Sequence, residues 1–206
     1  MNIKFAYLLA FAILLSSGCI SVPASREPSF YGISALQEHE IQPLKLSSDF
    51  AVAVSGLKIP GYLNRPQIVT QDKDHQMRFA QFHRWAEPLD EGLTRVVKEN
   101  IAQILPRAQI VSYPLDFPSQ MVFRLEMELT RFELDLSGEL FLAVQWAVVD
   151  VGYPKNTVIR RSEFRLPVGN GNYSGAVKAL SAAWASLSGQ IAQVIYEMSE
   201  VVNPKL

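Results

Sequence analysis

PLDEGLTRVVKENIAQIL (Pro88–Leu105) is the stretch from which the rest of the chain has to be read. Leu89, Leu93, Val96, Val97, Asn100, Ile101, Ile104 and Leu105 recur at helical spacing and form one stripe of an amphipathic helix. Pro88 suits the first helical position, where its missing N–H costs nothing, and Asp90 and Glu91 favour the positive end of the helix dipole. Pro106 ends the segment. With a helix fixed here, the chain falls into two strand-like runs, one on each side.

On the amino-terminal side, FYGISAL (Phe30–Leu36) reads as a short first strand. DFAVAVSGLKI (Asp49–Ile59) is apolar on both alternating faces, as befits a strand in the middle of a sheet, and Pro60-Gly61 ends it. RPQIVTQ (Arg65–Gln71) and MRFAQFHRW (Met77–Trp85) read as two strands across a turn at DKDH (Asp72–His75).

On the carboxy-terminal side, Ala108–Tyr113 is a short strand. Odd positions are apolar from Met121 to Leu129, and even ones (Phe132, Leu134, Leu136) thereafter. A two-residue period cannot change phase without an extra residue, so a bulge or bend is predicted near Thr130-Arg131. Leu140–Val151 is nearly all apolar and therefore central, whereas Thr157–Val168 lies nearer an edge with Arg160, Arg161 and Arg165 in water. GNGN (Gly169–Asn172) is a turn and helix cap before a long helix, Ser174–Glu200. Its buried stripe is Val177, Leu180, Trp184, Leu187, Ile191, Val194, Ile195 and Met198. The order β-β-β-β-α-β-β-β-β-α predicts a single α+β domain. We expect a mixed or antiparallel sheet of about six to eight strands with two helices packed on one face.

Little in this chain points to catalysis. The three histidines, His39, His75 and His83, have no metal-like spacing, and the one cysteine is remote from them. His83 stands four residues before Glu87, a spacing that would suit a base and its orienting acid, but a strand end beside a helix start favours a plain hydrogen bond. No serine sits in a GxSxG setting, and GNGNYSG lacks the lysine of a phosphate-binding loop. A formal net charge of −1 gives no footprint for nucleic acid. The expectation is a non-enzymatic protein with no cofactor and no metal.

At the amino terminus, a short basic start and an apolar run from Phe5 to Leu15 are too brief to span a bilayer, which needs about 20 apolar residues. The run fits a secretory signal peptide. Followed by Ser16-Ser17-Gly18-Cys19, it resembles a bacterial lipoprotein signal, with Ser16 where leucine is usual. That resemblance implies a signal at residues 1–18, acylation of Cys19 with fatty (palmitate) chains, a tether over residues 19–29 and a folded domain over residues 30–206. Two or more acyl chains anchor stably where one does not. Ile20, not aspartate, follows the cysteine, which by the enterobacterial sorting rule implies the inner face of the outer membrane. The tether ISVPASREPS (Ile20–Ser29) spans at most about 35 Å extended and about 18 Å as a coil, so the domain sits close to its membrane.

Two segments stand out: IPGYLNRPQIV (Ile59–Val69) and HRWAEPLDEGL (His83–Leu93). The plain reading is strand punctuation and a helix start, with Tyr62 and Trp85 packing at the rim. The functional one is a partner-binding surface of Tyr62, Arg65, Arg84 and Trp85, since aromatic and arginine residues dominate interface hot spots. With FYGISAL and AVKALSAAWASLSGQIAQVI, these segments resemble the ABC-type transport auxiliary lipoproteins, the PqiC/YmbA group. The resemblance implies an outer-membrane lipoprotein serving an MCE-domain (PqiB-like) periplasmic partner in lipid transport and envelope integrity, and it makes a homo-oligomer an expectation. It transfers no catalytic residues. An assembly or accessory lipoprotein of an outer-membrane barrel or secretion complex, or an envelope hydrolase, remains the alternative.

Overall fold

The computed structural model describes residues 26–72, 74–114 and 121–202. The signal, Cys19 and most of the tether lie outside them. Eight strands and two helices follow in the expected order: β1 (Ser29–Tyr31), β2 (Phe50–Val54), β3 (Gln67–Gln71), β4 (Met77–Trp85), α1 (Leu89–Ile104), β5 (Ala108–Ser112), β6 (Met121–Leu134), β7 (Glu139–Asp150), β8 (Val158–Pro167) and α2 (Tyr173–Val202). The fold is α+β, and the strands divide between two mixed sheets: five in the order β5-β2-β6-β7-β8, and three in the order β1-β4-β3.

In the larger sheet β2 runs parallel to both β5 and β6, and every one of its residues is buried. Its apolar character on both faces follows from that central place. β6, β7 and β8 form an antiparallel meander, with β8 at the edge and Arg160, Arg161 and Arg165 exposed. The register of β6 against β7 shifts between Leu129 and Arg131, so Thr130 is the extra residue and its hydroxyl donates to Ala143 O at 3.1 Å. Through this bulge Phe123, Leu125, Met127 and Leu129 before it, and Phe132 and Leu134 after it, all enter one core.

α1 buries its whole predicted stripe, with Pro88 capping the first turn from just outside it. Asn100, the polar member, is fully buried because both ends of its amide are used. Its Oδ1 accepts from Leu36 N–H at 2.8 Å and its Nδ2 donates to Ser188 Oγ at 3.1 Å on α2. The two helices are also tied by the Trp184 indole N–H, which donates to Leu93 O at 2.8 Å. α2 also meets the edge strand, where the Ser162 hydroxyl of β8 donates to Gln190 Oε1.

The start of α2 is set by backbone proximity. Asn172 caps it, its Oδ1 accepting from Gly175 N–H at 2.8 Å. A Cβ on Gly175 would lie 1.8 Å from Gly169 O, a backbone atom with nowhere to go. Gly175→Ala is therefore expected to cost about 1–3 kcal/mol, as overpacking does. Gly189→Ala in the same helix meets nothing within 4 Å and should gain about 0.5–1 kcal/mol from helix propensity alone. Urea midpoints of the two variants, moving in opposite directions at unchanged slope, check this pair.

Candidate functional site

The two singled-out segments meet. Beyond β2 the chain keeps bonding to β6: Ser55 N–H donates to Leu125 O at 2.9 Å, Lys58 N–H to Met127 O at 3.1 Å, and Leu129 N–H to Lys58 O at 2.8 Å. A single 3₁₀ turn, Gly61–Leu63, then swings the chain round, with Leu63 buried as its anchor. The return path leads Pro66 to the end of β4, where Trp85 N–H donates to Pro66 O at 2.8 Å. Ala86 N–H donates to Tyr31 O at 2.8 Å, so β1 closes the other side. Between the two segments lies a groove of about 300 Å³, lined among the described residues by them alone, with Asn64, Arg65 and Pro66 on one wall and Trp85, Ala86 and Pro88 on the other.

The four residues named from the sequence have distinct roles. Tyr62 is half-buried, and its hydroxyl donates to Phe132 O at 3.0 Å, pinning the 3₁₀ turn to β6. Burial is the main reason its phenol titrates above the usual tyrosine range. Tyr62 does not line the groove. Arg65 does, and its guanidinium carbon lies 4.0 Å from the centre of the Phe79 ring. Arg84 pairs in register with Gln67. In both arginines Nε is buried without a hydrogen-bond partner, and neither has an ion pair among the described residues.

Trp85 corrects the sequence reading: at 6% exposure its indole belongs to the core rather than to an open surface or rim. The cause lies in β4. Gln67 pairs with Arg84 but Val69 pairs with Phe79, so β4 takes up three more residues than β3 between these pairs. The irregularity reverses the side-chain phase, and Trp85 ends on the inward face while Arg84 stays on the outer one. Trp85 nonetheless borders the groove.

The base-and-acid idea for His83 and Glu87 also meets separate partners. His83 Nδ1 lies 2.8 Å from the Tyr31 hydroxyl, and its ring stacks on Tyr173 at 4.0 Å. Glu87 is held by Arg95 at 2.7 Å, and Arg95 also pairs with Glu99 at 3.1 Å. This aromatic cluster joins the small sheet to the start of α2; the carboxylate bridge stiffens the first turns of α1. Sequence reasoning missed Phe30, Phe79 and Met77, which are exposed beside the two arginines. The signal for them is strand pairing, which no local pattern carries.

Two mixed sheets, two helices and a small groove walled by the two motif segments make this an α+β protein whose candidate site is that groove. The chain belongs to the ABC-type transport auxiliary lipoprotein component family, whose model matches residues 31–192 and so contains both groove segments. It is 26% identical, over 92% of its length and 96% of the relative's, to the intermembrane transport lipoprotein PqiC of Escherichia coli (strain K12), and equally to that of Shigella flexneri. Among solved structures, an uncharacterized protein is similar with a TM-score of 0.68 at 25% identity, covering 82% of this chain and 99% of that one. A Xanthomonas campestris protein superposes with a TM-score of 0.67 at 12% identity, covering 85% and 100%, a likeness of fold.

Proposed function

We propose that this transport auxiliary lipoprotein is a non-enzymatic docking subunit. Acyl chains on Cys19 hold it at the inner face of the outer membrane, and the groove between its two motif segments receives an MCE-type, PqiB-like periplasmic component of a lipid-transport system. The observation that carries the reading is the convergence of Ile59–Val69 and His83–Leu93 on one groove that, among the described residues, contains none from elsewhere. The relatives named for intermembrane transport support the setting. A tether of at most about 35 Å keeps the domain near its membrane, so the partner must supply the span across the periplasm. If that partner is a ring or tube, several copies of this chain surround its end in a closed arrangement.

Ala86 gives a clean test, because it is exposed and lines the groove. Ala86→Trp should fill the groove and abolish co-purification with an MCE-domain protein from detergent-extracted membranes. Unfolding should shift by less than about 0.5 kcal/mol, as for other surface substitutions. Recovery of an outer-membrane barrel in place of an MCE-domain protein, or undiminished recovery with Ala86→Trp, would sink the proposal.

A further inference from the structure

The small sheet has an outward face that meets the docking groove only at Arg65. The parallel pair Phe30↔Arg84 puts these two side chains on one face. The antiparallel pairs Gln67↔Arg84, Val69↔Phe79 and Gln71↔Met77 place Phe79 and Met77 on the same face, because residues 67, 69 and 71 alternate with a two-residue period. Phe30, Phe79 and Met77 are 63%, 48% and 38% exposed, respectively. Arg65 stacks over Phe79 at 4.0 Å, so β1 and β4 present exposed apolar groups beside two guanidinium groups.

The charge pattern distinguishes this face from the other open one. On the outer side of β6–β8, Arg124, Arg131, Arg161 and Arg165 each hold a glutamate. On the small sheet Arg65 and Arg84 have no carboxylate among the described residues, although the chain as a whole carries a net charge of −1. Guanidinium groups left unpaired beside exposed phenyl rings suit a surface of phosphates over hydrocarbon. Position adds an independent argument. The exposed residues Arg26–Ser29 run straight into Phe30, so this face is where the tether enters the domain. Cys19 is only ten residues from Ser29.

We infer that the Phe30–Phe79–Met77 face, with Arg65 and Arg84, lies against the phosphates and outer acyl region of the membrane in which the chain is anchored. The inference rests on anchorage at Cys19. It orients the domain: the flat face meets the bilayer, and the groove, sharing Arg65 at its rim, opens beside the lipid surface.

The test uses the full lipidated chain in vesicles of phosphatidylethanolamine and phosphatidylglycerol, with one fluorophore on an introduced cysteine. Phe30→Cys and Met77→Cys report the proposed face. Ile159→Cys, an equally exposed apolar site on β8, serves as control. Nitroxide-bearing phospholipid should quench the labels at 30 and 77 at least about two-fold more than the label at 159. Arg84→Glu should reduce quenching at 77 while the amount of bound protein stays constant. Equal quenching at all three sites overturns the proposal. So does protection of 30 and 77 from aqueous quencher only when an MCE-domain protein is added, which would assign the face to protein. Cys19→Ala tests the anchor separately: it should release the chain into the soluble fraction, and retention on the vesicles would refute the anchorage while leaving the quenching comparison readable.

Discussion

Inserting an alanine between Thr130 and Arg131 is expected to remove about 3–6 kcal/mol of stability, enough to erase most of the folding free energy of an ordinary domain. The bulge takes up one extra residue and so keeps Phe132 and Leu134, 3% and 2% exposed, on the core face of β6. A second extra residue shifts the two-residue period once more, and both side chains turn to water. Arg131 and Glu133, an ion pair at the surface, would turn inward in their place, a burial that costs more still. Thr130→Ala separates the extra residue from its hydroxyl. It loses only the bond to Ala143 O and should cost about 0.5–1.5 kcal/mol. Urea unfolding of the two variants decides the matter: an insertion no worse than the alanine substitution would mean that the strand can absorb a second extra residue, and that the bulge does not set the register.

The bulge was legible because side-chain alternation is a property of the backbone itself, and apolar residues change phase along a strand where the backbone takes up an extra residue. The same holds for α1 and α2, whose stripes repeat often enough to fix the buried face. What lay beyond reach was pairing between distant segments. Asn100 could be placed on the buried stripe, but its partner, Leu36 N–H, lies 64 residues away. Nothing in the run of strands before α1 shows that β1, β3 and β4 leave the main sheet. Along MRFAQFHRW the apolar residues carry no mark of the irregularity that reverses the strand between Phe79 and Arg84. The two motif segments do meet in the fold, but Trp85, named for a surface, belongs to the core, and neither Tyr62 nor Arg84 lines the groove.

Trp85→Ala tests that division. The indole is 6% exposed and belongs to the main core, so its truncation should cost about 3–5 kcal/mol. Arg84→Ala, one position away, removes a buried Nε that has no partner and should leave stability within about 0.5 kcal/mol of the parent. Chemical unfolding of the two variants checks both numbers; a Trp85→Ala variant as stable as Arg84→Ala would return the tryptophan to the surface. The consequence for docking is quantitative. If Trp85 acts by holding the groove floor, partner recovered with Trp85→Ala should scale with the fraction of folded chain and return when low temperature or osmolyte restores folding. Ala86→Trp should fail to recover partner even when fully folded. A groove that is a rigid product of the core predicts both outcomes together, whereas a hot spot made by the indole itself predicts loss of binding at full folding in Trp85→Ala.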